Sequence, residues 1–342
     1  MEIVAGLSLK NLKPNVWDPK SPHYVPGVTA VMVSYAEFHE LRIRRGRAME
    51  AGLHEYLGVA KGTKVYLDNG AFYFLTREGK MPRKAYEEFV ARARPDWYPI
   101  PQEYIPHPAM RAKRQEECYR KTMAVNRAYQ HDGYVPVMHV GRMLPAYVEG
   151  VSKNEGLSKK RRFALGGIVP NLLRAPKALP YRDIVASLTT ARARFTDKNL
   201  HVFGMGGTAT IHLAALLGFD SVDSSGWRNR AARGIVQLPG SGDRMVANLG
   251  NWRGRAPSKE EWDRLKRCQC RACQSDGLKG LKASGITGFC HRASHNLSVL
   301  LREAEWVAAR LAAGTYAKTY RGRVDNTIYA PIVAAVVEQL HR

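Results

Sequence analysis

With 342 residues, 45% of them hydrophobic, the chain can bury a full core, which excludes a disordered tail; its five cysteines are too sparse and odd in number for a disulfide framework. Met1-Glu2-Ile3-Val4 lacks the charged-then-apolar order of a secretion signal, and no apolar run approaches the roughly 18 residues of a membrane span, so a soluble cytoplasmic protein without a membrane partner is expected. Lys plus Arg number 53 against 30 Asp plus Glu, a net charge of +23 that exceeds what solubility requires and predicts a polyanionic partner.

Short runs of β-formers alternate with longer helical patterns. The runs are 29–34, 64–68, 96–101, 134–140, 163–169, 200–205 and 220–222, with 234–238 as a candidate eighth. This alternation predicts βα units around a parallel sheet, and so many strands in about 240 residues predict an α/β fold of the (β/α)8 TIM barrel type. Basic residues cluster at Arg42, Arg44, Arg45 and Arg47, at Lys159 to Arg162, at Arg228, Arg230 and Arg233, and again between Arg253 and Arg271. One such cluster is ordinarily a solvated face. Together, with Trp227 and Trp252 among the later ones, they predict a nucleic-acid surface rather than a membrane one. Trp227 and Trp252 read either as stacking wedges or as core residues.

The basic, cysteine-bearing stretch 251–296 interrupts the alternation. It divides the chain into a barrel core (1–250), a zinc-binding subdomain (251–296) and C-terminal helices that complete the barrel (297–342). Within it, Cys268-Gln-Cys270-Arg-Ala-Cys273 packs three thiols beside Arg267 and Arg271, an oxidation-prone arrangement unless a metal holds it. Three thiolates and an imidazole suit a tetrahedral, closed and therefore structural zinc site. The fourth ligand reads as His295 of Ser294-His295-Asn296-Leu297, with Cys290 and His291 as alternatives, and Cys118 reads as an ordinary buried thiol.

In such a barrel the reactive groups lie at the C-terminal ends of the strands. Asp68 ends one run and Asp223 another. A lone Asp there is ordinarily a cap or a turn residue. These two share their rim with the glycine pairs Gly166-Gly167 and Gly204-Met205-Gly206-Gly207, which let a flat ligand approach the backbone, and with Phe72 and Met205, which suit the faces of a planar heterocycle.

The ordered set Leu67-Asp68-Asn69-Gly70-Ala71-Phe72, Gly166-Gly167-Ile168, Phe203-Gly204-Met205-Gly206, Phe219-Asp220-Ser221-Val222-Asp223 and the cysteine run with His-Asn-Leu resembles the tRNA-guanine transglycosylase superfamily over roughly residues 30 to 300. The resemblance implies a zinc-bearing (β/α)8 barrel that exchanges guanine in a nucleic acid for a 7-deazaguanine. It implies Asp223 as nucleophile and Asp68 as general acid/base. It places Phe72, Met205, Gly167, Gln102 and His139 around the base, the last two standing where the family usually has Asp and Gln. After the nucleophile, Ser224-Ser225-Gly226-Trp227-Arg228-Asn229-Arg230 replaces the family's tRNA-gripping segment. This departure, with the charge, is similar to the divergent branch of bacterial modification clusters and phages that acts on DNA, so DNA is favoured over tRNA, with Trp227, Arg228, Arg230 and Arg233 as contacts and the host cytoplasm as the location if the gene is a phage's. A tRNA enzyme, a base-releasing glycosidase and a non-catalytic nucleic-acid-binding barrel are the alternatives. The resemblance also leaves room for a homodimer, since tRNA enzymes of the family are often dimers that use the zinc region.

Overall fold

The structure is a computed structural model that describes residues 1–250 and 253–340. Seven parallel strands, β1 (Glu2–Gly6), β2 (Ala30–Ser34), β3 (Lys64–Asp68), β4 (Val137–His139), β5 (Arg162–Gly166), β6 (Asn199–Val202) and β7 (Ser221–Ser224), pair in the order β3-β2-β1-β7-β6-β5-β4. The run at 96–101 forms no regular strand, yet it fills the gap between β3 and β4. Leu67 N donates to Trp97 O at 2.8 Å and Asp96 N to Val65 O at 2.9 Å on one side, and Ile100 N donates to Val135 O at 3.0 Å and Val135 N to Tyr98 O at 2.9 Å on the other. Eight parallel segments therefore close a ring, the (β/α)8 arrangement with helices outside.

The ring's eighth member is β1, not 234–238. β1, five residues long, sits between β2 and β7 in the ring. Residues Ile235–Leu238 (β8) pair antiparallel with Gly242–Met245 (β9) outside the barrel. The reason is local: Pro239-Gly240-Ser241 turns the chain back, with Gly240 at φ +72°, a conformation that a side-chain-bearing residue enters at a cost.

Strand alternation sorts the side chains. Val4, Ala30, Met32, Tyr66, Trp97, Val137 and Ala164 pack together inside the ring, while Ile3, Val65, Leu67, Phe163, Leu165, Leu200 and Val222 face the surrounding helices. Each fully buried residue of this size contributes about 1.5–3 kcal/mol of burial free energy, so the outward face holds the helices and the inward face is fixed in register. The inward parity then carries Ser34, Asp68, His139, Gly166 and Asp223 to the C-terminal rim.

Beyond β9 the chain folds into the helix Lys259–Lys266, opened by a Ser258/Glu261 capping box, and the helical segment Arg271–Lys282, which kinks at Gly277. The long helix Gly285–Ala312 follows and runs unbroken through 296 and 297. Among the described residues no helix is long and apolar enough to cross a membrane.

Candidate active site and metal centre

Asp68 ends β3, half-buried, with one carboxylate oxygen tied down. Its Oδ2 accepts from Ser34 Oγ at 2.9 Å and from the Gly70 N–H at 3.0 Å, which leaves Oδ1 free of protein bonds. Burial raises its pKa, the two hydrogen bonds pull the other way, and the charge of Asp223 adds to the rise; burial wins. Asp68 is thus a carboxyl group biased toward its protonated form.

Around Asp68 opens a cavity of about 360 Å³ lined by Asn69, Phe72, Gln102, His139, Gly167 and Phe203, among others. Asn69 shapes its floor: its Nδ2 donates to Ile100 O at 2.7 Å and its Oδ1 accepts from Ala71 N at 2.9 Å. Gln102 is oriented by the Tyr104 N–H, which reaches its Oε1 at 2.7 Å. His139 is 2% exposed; its ring lies against the Gly166 backbone, and neither nitrogen makes a well-formed hydrogen bond. Burial holds its pKa down to about 3, so the imidazole is neutral and offers one N–H and one lone pair. Phe72 is exposed at the cavity's mouth, 71% accessible, as a residue awaiting a flat partner would be.

Met205 is a correction. It is fully buried in the packing between barrel and helices, and the aromatic ring facing the cavity is Phe203, two residues earlier. The chain leaves β6 in alternating register as far as Phe203 and then turns at Gly204, φ +76°, so Met205 points outward.

Asp223 belongs to β7 and lies on the edge of a larger cavity, about 630 Å³, which runs past Ser225, Asn229, Arg230, Arg255 and Tyr329. Its Oδ1 accepts from the Gly204 N–H at 2.7 Å and stands 3.6 Å from His201 Nε2. Gly206 N donates to the Asp223 carbonyl at 2.9 Å, and a Cβ at Gly206 would come within 2.3 Å of that same oxygen, so the Gly204-Met205-Gly206 run is needed to let the two strand ends touch. His201 is buried between Trp97 and Phe203, and its Nδ1 meets Ser221 Oγ at 2.9 Å. With Nδ1 accepting from that hydroxyl, Nε2 carries the proton and faces the carboxylate. Neither His201 nor Ser34 stood out in the sequence. The signal was there in parity: both share the inward face with the two aspartates.

The four expected metal ligands converge. Donor atoms of Cys268, Cys270, Cys273 and His295 lie within 4.8 Å of one another, and all four residues are buried. His295 Nδ1 is 3.4 Å from the Sγ of Cys268 and of Cys273 and 3.7 Å from that of Cys270. A tetrahedral zinc with ordinary Zn–S and Zn–N bonds separates such atoms by about 3.5 Å, so the set fits one metal ion. His295 Nε2 lies 3.0 Å from Gln237 O, which fixes the tautomer that presents Nδ1, and Arg302 donates to Cys268 Sγ at 3.6 Å. Cys290 and His291 lie outside the set.

The next residue ties this centre to the catalytic rim. Asn296 Nδ2 donates to Trp227 O at 3.2 Å and to Ile235 O at 3.0 Å, and its Oδ1 accepts from Gln237 N at 2.7 Å. Leu297 is buried in the core. His-Asn-Leu is therefore one metal ligand, one backbone clamp on the helix that follows Asp223, and one core residue.

The family model for queuine tRNA-ribosyltransferase matches residues 34–327, from the serine that ties Asp68 to beyond the metal centre. The chain belongs to this family. A search of curated proteins finds no match. As a queuine tRNA-ribosyltransferase family member, the protein is a glycosyltransferase of the pentosyltransferase class that exchanges guanine bases in nucleic acid.

Of the residues expected to contact nucleic acid, two lie inside the fold. Trp227, expected as a contact, is fully buried beneath the helix Gly226–Ala232, so it is a core residue and no stacking wedge. Arg228 is also inside: its guanidinium donates to Lys13 O at 2.6 Å and to Asn11 O, pinning the N-terminal segment. An arginine spent on two backbone carbonyls has no reach toward a phosphate. Arg230 borders the cavity beside Asp223 and pairs with Asp243 at 2.8 Å, and Arg233 is exposed. Trp252 lies outside the described residues.

Proposed function

We propose that this family member exchanges guanine in DNA for a 7-deazaguanine by double displacement. Asp223 attacks C1′ through the oxygen left free by Gly204 and His201; the C1′–N9 bond breaks, its electron pair leaves with guanine, and Asp68 supplies the proton that neutralises the departing base. The incoming 7-deazaguanine gives its N9 proton to the Asp68 carboxylate, N9 attacks C1′, and the bond to Asp223 breaks. Two displacements at one carbon retain its configuration. The observation that carries this reading is the different setting of the two carboxyl groups: burial raises the pKa of Asp68, and the Gly204 N–H orients Asp223 at the edge of the larger cavity.

The choice of DNA rests on the altered segment after the nucleophile and on the charge. The helix Gly226–Ala232 has turned Trp227 and Arg228 into packing residues, so a family grip there has been replaced. Arg255 on the groove, beside Arg230 in its pair with Asp243, serves a backbone of any sequence. A stacked base cannot reach a cavity inside a barrel mouth, so the enzyme flips its target or takes single strands. We assign the metal as one structural zinc, because three thiolates and an imidazole leave no open coordination position. Its role is to brace the rim through Asn296, with no step of the reaction passing through it.

Mixing the protein with guanine-containing DNA and no incoming base tests the reaction. A denaturant-resistant protein–DNA adduct should accumulate and should vanish in Asp223→Ala; an adduct that persists in that variant places the nucleophile elsewhere.

A further inference from the structure

A base drawn out of a duplex leaves a gap in the stack, and the stack closes again unless something fills it. Trp227 is buried and does not serve. The cavity of about 630 Å³ beside Asp223 carries another residue placed to do so: Ile328, 63% exposed, shares its wall with Asn326, Thr327, Arg230 and Arg255. A single exposed apolar side chain is ordinary on a protein surface. What sets this one apart is its mounting.

Residues 325–329 link the short helix Arg321–Val324 to the C-terminal helix Ala330–Leu340. Thr327 N and Oγ1 both donate to Val324 O, at 2.9 and 2.8 Å, and Thr327 Oγ1 accepts from Tyr329 N at 3.3 Å. Ala330 N donates to Thr327 O at 3.3 Å. Asn326 Nδ2 donates to Gly240 O at 3.1 Å, which ties the turn to the β8–β9 hairpin, where a Cβ on Gly240 would come within 2.4 Å of Gly322 O. The backbone is thus fastened on both sides of Ile328, whose β-branched side chain has little rotamer freedom to lose. An apolar group held ready in this way enters a stack without a further ordering cost. Val169, 38% exposed on the same cavity wall, is set differently: it leans on the turn after β6, where a Cβ at Gly204 would meet its Cγ2 at 2.6 Å.

We propose that the enzyme takes guanine from duplex DNA and that Ile328 is the wedge that enters the stack where the guanine has left. It covers the apolar faces of the neighbouring base pairs while the guanine stands beside Asp68 and its C1′ beside Asp223. This rests on the reading of the protein as a guanine transglycosylase of DNA. Ile328 is a positioning residue, since it touches the neighbouring bases and not the reacting atoms. A paired, stacked guanine costs the most to extrude and a guanine in a single strand the least, so a wedge matters in that order.

The test is guanine exchange by the full-length protein on one target guanine presented in a paired duplex, in the same duplex with the guanine mismatched, and in the single strand. Ile328→Ala should lose at least about tenfold in kcat/KM on the paired duplex, less on the mismatched one and under about twofold on the single strand. Ile328→Leu should keep most of the parent's rate. Ile328→Lys should lose as Ile328→Ala does on the paired duplex, although it adds a cation beside the phosphates. The side chain is exposed, and melting curves matching the parent's show the fold intact. An equal loss by Ile328→Ala on all substrates, no loss on the paired duplex, a gain by Ile328→Lys there, or a parent active on single strands alone overturns this inference and leaves the transglycosylase reading standing. A parent that exchanges guanine in no DNA overturns that reading and the wedge with it.

Discussion

Asp68 and Asp223 differ in how each is held, and the difference is measurable. Because the Asp68 pKa is raised, the folded protein keeps this proton at pH values where the unfolded chain, with an ordinary Asp near 3.9, has lost it. Stability therefore falls as pH rises from about 4 through the raised value. Asp68→Asn lacks that penalty: it should melt above the parent at pH 7 to 8, with the gap closing below about pH 4, while base exchange falls by at least about 100-fold. In the proposed reaction His201 acts through Asp223, whose carboxylate it faces at 3.6 Å. Removing its Nε2–H in His201→Phe should lower kcat by about 10- to 100-fold with little change in KM, since a loosened nucleophile loses alignment rather than affinity. An equal rise in KM would make the residue a packing group only. At this scale the positions of the two aspartates at strand ends were legible, because the run of β-formers before each one marks the strand it ends. The sequence misplaced Met205 by two residues, because the left-handed turn at Gly204 lies between alternating register and loop, and it gave Trp227 and Arg228 to the nucleic acid because charge and aromaticity do not reveal which way a helix faces.

Among the elements, the metal centre and the long helix Gly285–Ala312 act as a brace. The helix supplies His295 to the metal and Asn296 to Trp227 and Ile235, and Arg292 donates to the carbonyls of Ala231 and Leu281 at 2.9 and 2.8 Å. Cys270→Ser should drop zinc from about one per chain to near zero and lower Tm by more than about 10 °C, since several kcal/mol of ligation are lost. Full stability without metal would contradict the brace. The ligand spacing was legible because thiolate chemistry needs few residues at close range. The hairpin β8–β9 was not, because Ile235–Leu238 has the composition of a barrel strand and only the Pro-Gly turn after it decides its partner. β1 was missed for another reason: no helix stands between it and β2, so the alternation that marked the other strands is absent there.

The whole molecule joins a closed barrel, a cavity beside Asp68 at its rim and a net charge of +23. Such a surface binds polyanions by releasing counter-ions, so affinity for DNA should weaken by about 100-fold or more between 50 and 200 mM salt, corresponding to at least four phosphate contacts. A flat salt response would remove the electrostatic basis for the polymer. The most direct measurement of the central claim is incorporation of labelled 7-cyano-7-deazaguanine when the protein is offered single-stranded DNA, duplex DNA and tRNA side by side. Label should enter DNA, with release of one guanine per label and none in Asp223→Ala. Label entering tRNA alone would contradict the account.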